Sequence, residues 1–220
     1  MKKPKIFIAC DTANVTKVKR IIKQSQSKKI KVGYKFGLEF MNSKNGRQFI
    51  SKLKDKIIFV DLKLNDTVNT MKSAVKALKD LKINYLTVHI SSGLTALKAV
   101  KKVSGSIKII GVTTLTSLNN KDLKLIGYNK SVKNLVIHQA GLARKAALDA
   151  LVCSPYEVTA VRKIFKKEII TPGVQMGKKN YDQKRSMEVK KVRSDWLVIG
   201  RAITSGNVKK NIQNLVRELK

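Results

Sequence analysis

The chain has 220 residues, with 47 lysines and arginines against 14 aspartates and glutamates, which gives a formal net charge of +33. Such a charge suggests a nucleic-acid partner, but the basic residues are scattered, only eight are arginine, and aromatic residues make up 5%. We therefore expect no specific nucleic acid. No apolar run approaches the roughly 20 residues that span a bilayer, and the first, residues 6–10, is shorter than a signal-peptide core. We expect a cytoplasmic protein with no membrane partner.

Short apolar runs alternate with helical patterns eight times along the sequence. The predicted strands are residues 6–10, 31–34, 57–64, 85–90, 107–113, 150–153, 168–171 and 196–199. The predicted helices are residues 15–24, a segment marked by Phe49, Ile50 and Leu53, and residues 71–81, 94–103, 135–148, 157–165, 187–192 and 208–219.

This alternation predicts the fold class. Near-continuous apolar strands indicate burial on both faces and hence a parallel sheet. Eight strand–helix units in 220 residues fit a closed (β/α)8 barrel, the TIM barrel. A doubly wound open sheet is the alternative, which periodicity alone does not exclude. The sequence has no linker, low-complexity segment or repeat of fixed period, so residues 1–220 are predicted to form a single α/β domain.

Polar residues stand at the ends of nearly all the predicted strands, where a barrel carries its active site. They are Asp11, Lys35, Asp61, Lys63, Asp66, His89, Thr116, Ser117, Ser154, Gly200 and Arg201. The third strand has the densest group. There, Asp61 and Lys63 are two residues apart and should share one face, and Asp66 follows the strand end. A structural Asp–Lys ion pair is the simpler interpretation of this stretch, and an active-site array is the functional one.

The functional interpretation joins Lys35, Asp61, Lys63 and Asp66 in an array of alternating charge. Each charge stabilises its neighbours in a pocket of low dielectric, and a lysine between two carboxylates is expected to stay protonated. Such a site suits a reaction that builds negative charge on carbon and then protonates it.

A second group is typical of a phosphate site. Residues 198–204 run from a strand into Gly200, Arg201 and a helix, so backbone N–H groups and the arginine can hold a phosphate there. The Thr-Pro-Gly turn at 171–173 opens a long loop that includes Gln183. This loop is either a lid over the same phosphate or an ordinary surface loop. The chain has no P-loop and no Cys/His cluster, so we predict neither a P-loop nucleotide site nor a zinc site.

Taken together, these motifs resemble the orotidine 5′-phosphate decarboxylase family, of the bacterial type, over almost the whole chain. The strongest element is the stretch from Asp61 to Thr70, which is similar to the family's Asp-x-Lys-x-x-Asp motif ending in Asn-Thr. Supporting segments occur in the expected order: Ala-Cys-Asp at 9–11, Lys-Phe-Gly-Leu-Glu at 35–39, Val-His at 88–89, Val-Thr-Thr-Leu-Thr-Ser at 112–117, Val-Cys-Ser at 152–154, Thr-Pro-Gly at 171–173, Asp-Gln-Lys-Arg at 182–185 and Ile-Gly-Arg at 199–201. One departure is Gln175, which stands where the family usually has an arginine.

The resemblance implies decarboxylation of orotidine 5′-phosphate to UMP and carbon dioxide, the last step of de novo UMP biosynthesis, without a metal or a cofactor. Lys63 would protonate C6, and Asp61 would lie beside the substrate carboxylate. Lys35 would link Asp61 to the ribose hydroxyls. Asp66 completes the implied catalytic set.

The resemblance also implies a set of substrate-binding residues and a partner. Ribose, pyrimidine and phosphate would be bound by Asp11, Thr70, Thr116, Gln183, Gly200 and Arg201. Asp66 and Thr70 would reach into the site of the partner subunit, so the protein would be an obligate homodimer with shared active sites.

Two other functions stay open. Sugar-phosphate decarboxylases and aldolases on the same barrel share the Asp-x-Lys-x-x-Asp motif but use magnesium, and they have an acidic metal ligand where this chain has Lys35. A basic nucleic-acid-binding protein is the other possibility, and it rests only on the net charge.

Overall fold

Eight parallel strands close into a barrel in this protein, seen in a computed structural model that describes residues 4–176 and 187–219. The barrel strands are β1 (Lys5–Ala9), β2 (Lys31–Gly37), β3 (Ile57–Leu64), β4 (Tyr85–His89), β5 (Lys108–Val112), β6 (Ala150–Val152), β7 (Glu168–Thr171) and β10 (Trp196–Ile199). A separate two-stranded sheet pairs β8 (Val174–Gln175) with β9 (Met187–Glu188). Strand β10 pairs with β1 and closes the ring, which confirms the predicted TIM barrel and excludes the open sheet.

The described helices are α1 (Val15–Gln24), α2 (Leu38–Met41), α3 (Gly46–Ser51), α4 (Val68–Ala77), α5 (Leu94–Val103), α6 (Asn120–Leu125), α7 (Val132–Lys145), α8 (Val158–Ile164), α9 (Arg201–Thr204) and α10 (Val208–Glu218), with 3₁₀ turns at Lys79–Leu81, Ile90–Ser92 and Val189–Lys191. In α1, Val18, Ile21 and Ile22 are buried on one face, while the lysines of the same helix are exposed. No helix within these ranges has the length and apolar composition that crossing a membrane requires.

Aromatic side chains fill part of the barrel interior. The ring of Phe7 stacks on Trp196 with 4.1 Å between centroids and meets Phe59 and Tyr85 edge-on. Gly33 makes room for this packing, because a Cβ there would come within 2.6 Å of the Phe7 ring. With the rings packed inside the barrel, the open space lies toward the carboxyl ends of the strands.

A charged network closes the opposite, amino-terminal end of the barrel. The Glu168 carboxylate accepts hydrogen bonds from Lys5 at 2.9 Å, Tyr85 at 2.8 Å, and Trp196 and Lys108 at 3.1 Å each. Burial alone would raise the pKa of Glu168, but these hydrogen bonds lower it to about 2. The carboxylate therefore stays ionised and joins the start of β7 to the starts of four other strands, away from the strand ends that carry chemistry in this fold.

Strand β2 is longer than predicted. It continues past residue 34 to Gly37 because it pairs with β1 on one side and β3 on the other along this stretch, with Lys35 opposite both Ala9 and Phe59. Lys35 therefore lies on the strand rather than after it, which fixes its position more firmly than a loop would.

The prediction of a helix at 187–192 is wrong. Met187 and Glu188 form β9, with the Met187 N–H donating to the Gly173 carbonyl at 3.0 Å, and a 3₁₀ turn follows. Val189 and Val192 are both buried, and their spacing of three residues fits a 3₁₀ helix as well as an α-helix. The apolar pattern alone could not distinguish the two.

Helix α6 was not predicted, since its segment has the composition of a connection rich in lysine and asparagine. Its start is fixed by a capping box. The Asn119 side chain accepts from the backbone of Lys121 and Asp122, and the Asp122 carboxylate accepts from the Asn119 N–H.

Candidate active site

A cavity of about 510 Å³ lies at the carboxyl ends of the barrel strands. It brings together seven of the predicted site residues, namely Asp11, Lys35, Asp61, Lys63, Thr116, Gly200 and Arg201. Much of its remaining wall is apolar and includes Ala9, Phe59, Val112, Leu115, Val152 and Val198. A concave site with apolar walls and a few convergent polar groups is the usual form of a small-molecule site.

Four charged residues of the cavity form a chain of alternating sign. The Lys35 ammonium lies 2.9 Å from Asp11 Oδ1 and 3.4 Å from Asp61 Oδ2. Lys63 Nζ donates to the same Asp61 Oδ2 at 3.0 Å. The pairing of β1 with β2 and of β2 with β3 brings these residues side by side. Asp61 and Lys63 share the cavity, as predicted, although β3 does not alternate regularly between them.

The middle of this chain of charges is buried and its ends are more open. The side chains of Lys35 and Asp61 are each 11% exposed, against 35% for Lys63 and 57% for Asp11. Burial alone would raise the pKa of Asp61, but Lys35 and then Lys63 hold it below its ordinary value. Burial would lower the pKa of Lys35, but Asp61 and Asp11 raise it above its ordinary value. Both groups are therefore charged at neutral pH.

Strand β3 is irregular at Lys63, the last residue of the chain of charges. Between Val60 and Leu64, β3 advances four residues while the facing strand β4 advances two, and Lys63 has a φ of +49°. A lysine in the left-handed region costs about 1 kcal/mol relative to ordinary strand backbone. The Lys63 N–H donates to the hydroxyl of Thr87 at 2.9 Å, so a side chain accepts this bond. Bulges of this kind re-aim side chains next to active sites.

Two glycines shape the surroundings of the cavity. A Cβ on Gly37 would lie 3.3 Å from Asp11 Oδ1 and 3.4 Å from Lys35 Nζ, so a side chain there would crowd this ion pair. Gly173 has a φ of +74°, in the left-handed region that favours glycine, and it turns the chain after β7 so that the turn borders the cavity.

The loop after β5 carries Thr116 to the cavity, and helix α7 holds that loop in place. The buried side chain of Gln139, on α7, accepts from the Thr114 N–H at 2.8 Å and from the Thr114 hydroxyl at 3.2 Å. Helix α7 thus helps to fix the position of the loop that carries Thr116.

Across the barrel, the predicted phosphate turn lies in the cavity wall. Gly200 directly follows β10, and Arg201 begins α9. Both residues line the cavity, together with Pro172 and Gly173 of the turn after β7. A glycine-containing turn with an adjacent guanidinium is suited to binding an anionic group.

Two predicted residues, Asp66 and Thr70, are not brought to this cavity. Asp66 and Thr70 are exposed, and neither lines the cavity of its own chain. The Asp66 carboxylate accepts from the Thr67 N–H at 2.6 Å, and the hydroxyls of Thr67 and Thr70 lie 3.1 Å apart. Gln183 lies outside the described residues.

His89 ends β4 next to the charged chain and is half-buried. Burial, and then the positive charge of Lys63, lower the pKa of His89. The imidazole is therefore neutral at pH 7, and it adds no further positive charge beside Lys63.

Sequence reasoning missed Thr87, which contacts both Lys63 and Asp61. Its position gave a weak signal, since it shares a face of β4 with Tyr85 and His89 and so points into the barrel. A threonine within a strand is more often a packing residue. The role of this hydroxyl becomes apparent only from its hydrogen bonds to Lys63 and Asp61 at the bulge.

The fold and the cavity define a (β/α)8-barrel protein with a charged small-molecule site at the carboxyl ends of its strands. The model of the orotidine 5′-phosphate decarboxylase / HUMPS family matches residues 4–213. The orotidine 5′-phosphate decarboxylase of Wolbachia pipientis subsp. Culex pipiens (strain wPip) is 40% identical over 212 residues, or 92% of each chain. That of Wolbachia sp. subsp. Brugia malayi (strain TRS) is 37% identical over 221 residues, or 96% of each chain. The crystal structure of orotidine 5′-phosphate decarboxylase from Lactobacillus acidophilus has a TM-score of 0.83 and 27% identity, with all of both chains covered.

The chain belongs to the orotidine 5′-phosphate decarboxylase / HUMPS family. This confirms the resemblance inferred from the motifs, and the match spans both the Asp61–Lys63 array and the Gly200–Arg201 turn.

Proposed function

We propose that the protein decarboxylates orotidine 5′-phosphate to UMP and carbon dioxide, the last step of de novo pyrimidine biosynthesis. The observation that carries this proposal is the alternating chain Asp11–Lys35–Asp61–Lys63 inside the cavity of a member of this family. Relatives that cover 92% and 96% of the chain carry the name of this activity.

In the proposed reaction, the bond between C6 and the carboxylate carbon breaks, carbon dioxide leaves, and the electron pair stays on C6. Lys63 Nζ transfers its proton to that carbon and then takes a proton from water. Asp61 is ionised beside the substrate carboxylate, and the repulsion between the two is relieved as carbon dioxide departs. The Lys63 ammonium stabilises the negative charge that develops on C6.

The remaining cavity residues are proposed to hold the substrate. Asp11 and Lys35 bind the ribose hydroxyls, and Thr116 contacts the pyrimidine. Gly200 and Arg201 bind the phosphate, and Gln183 is proposed to join them. Because the ribose, base and phosphate contacts surround the charged chain, binding energy from these remote groups can hold C6 against Lys63.

We propose that the reaction needs neither metal nor cofactor, in contrast to the magnesium-dependent sugar-phosphate enzymes on this barrel. The charge pairing supports this, because Asp11 and Asp61, the two carboxylates among the described residues that line the cavity, are each paired with the Lys35 ammonium. Turnover of orotidine 5′-phosphate, followed by its absorbance, should be unchanged after dialysis against EDTA. A loss of turnover that added magnesium restores would instead favour a metal-dependent relative.

We also propose a homodimer in which Asp66 and Thr70 serve the partner's site. Their exposure and their position outside their own cavity support this arrangement. Equal amounts of the variants Lys63→Ala and Asp66→Ala, each inactive alone, should regain about a quarter of wild-type activity after subunit exchange, because one site of each mixed dimer is intact. If Asp66 serves its own site, the mixture will stay inactive.

A further inference from the structure

We infer that Thr87 is a positioning residue for the proton transfer, whose hydroxyl fixes the backbone of Lys63 and the carboxylate of Asp61 relative to each other. This inference rests on the proposed function, in which Lys63 is the proton donor.

One hydroxyl group makes both contacts. Thr87 Oγ1 accepts from the Lys63 N–H at 2.9 Å and donates to Asp61 Oδ1 at 2.9 Å. A hydroxyl has one proton and two lone pairs, so it can do both at once. The two bonded partners belong to the Asp61–Lys63 ion pair itself, so the hydroxyl closes a ring through the two side chains and the β3 backbone.

The hydroxyl compensates for the irregularity of β3. Lys63 has a left-handed backbone conformation and lies within a bulge, where the regular pairing of β3 with β4 is interrupted. The side chain of Thr87 supplies the acceptor for the Lys63 N–H at this point. Thr87 is fully buried, so water does not readily take its place. The bulge and the threonine on the facing strand thus act together to aim the Lys63 side chain.

The same contact selects which carboxylate oxygen faces the lysines. Thr87 holds Asp61 Oδ1, and the ammonium groups of Lys35 and Lys63 both lie on Oδ2. Thr87 does not line the cavity, so its effect on the reaction passes through Asp61 and Lys63.

The test compares three variants that separate the hydroxyl from the methyl group. Thr87→Val keeps the shape of the side chain and removes the hydroxyl, whereas Thr87→Ser and Thr87→Ala lack the methyl and differ from each other in the hydroxyl alone. We expect kcat to fall about tenfold or more in the valine variant with KM within about twofold, and the serine variant to stay near wild type. If the valine variant does not fold, the serine–alanine pair gives the same comparison.

A second measurement, of amide proton exchange, needs no substrate. Exchange of the Lys63 amide proton, followed by NMR, should be at least about tenfold faster in the valine or alanine variant than in the serine variant. Equal kcat with and without the hydroxyl, or equal amide exchange, would overturn the inference. An inactive wild type would instead refute the proposed function, while the exchange experiment would still test the Thr87 contact.

Discussion

Replacing Lys63 by alanine should lower kcat for decarboxylation by about 1000-fold or more, because the proposed proton donor is removed together with its positive charge, which is proposed to stabilise the carbanion. KM should change much less, since the proposed contacts to ribose and phosphate are made by other residues of the cavity. The fall in kcat is measured by the loss of orotidine 5′-phosphate absorbance at saturating substrate.

Lys98→Ala is the matched control for this experiment. Lys98 is an exposed lysine on the outer helix α5, and its removal should leave both kinetic constants unchanged. A Lys63→Ala protein that turns over within tenfold of wild type would show that Lys63 is not the proton donor.

Replacing Asp61 by asparagine should damage both catalysis and stability. The shape of the side chain and an acceptor for Thr87 remain, but Lys35 and Lys63 lose the charge that lies between them. We expect kcat to fall by at least about 100-fold, and the free energy of unfolding at pH 7 to fall by about 3 kcal/mol, as when one partner of a buried ion pair is removed. Urea denaturation measures the second effect.

The stability loss should depend on pH in a defined direction. The pKa of Asp61 in the folded protein lies below its ordinary value of 3.8, so its stabilising contribution is complete above that value and disappears as the pH falls through the folded pKa. The stability difference between wild type and variant should therefore shrink in strong acid. Asp80→Asn, which removes an exposed pair with Arg47, should cost less than about 1 kcal/mol. An Asp61→Asn protein as stable as wild type at pH 7 would contradict this account.

The barrel and the core of its site could be predicted from the sequence because both follow from short-range patterns. Apolar runs separated by helical spacing define the strands, and the closeness of Asp61 and Lys63 in the sequence at one strand end predicts that they share the cavity. Lys35 was recognised from its neighbouring residues, although the strand that carries it is longer than predicted.

The geometry at Lys63 could not be predicted in the same way. A lysine has no preference for positive φ, so no local residue marks the bulge in β3, and the hydroxyl that stabilises it comes from the next strand. The helix predicted at 187–192 failed for a related reason, because Met187 pairs with the distant turn at Gly173. Such long-range hydrogen bonds produce no periodic pattern of apolar and polar residues in the sequence.

Strand and helix patterns in the sequence do not explain the positions of Asp66 and Thr70. The motif predicts a role for these residues, but both are exposed in the single chain, and Asp66 accepts a hydrogen bond from its neighbour Thr67. Their proposed roles depend on a second subunit, and neither periodicity nor strand register carries information about that.

The proposed reaction is tested most directly with orotidine 5′-phosphate labelled at its carboxylate carbon and EDTA-dialysed wild-type protein. We predict release of labelled carbon dioxide in an amount equal to the UMP formed, with no metal added. If the folded protein releases neither product at saturating substrate, it is not an orotidine 5′-phosphate decarboxylase.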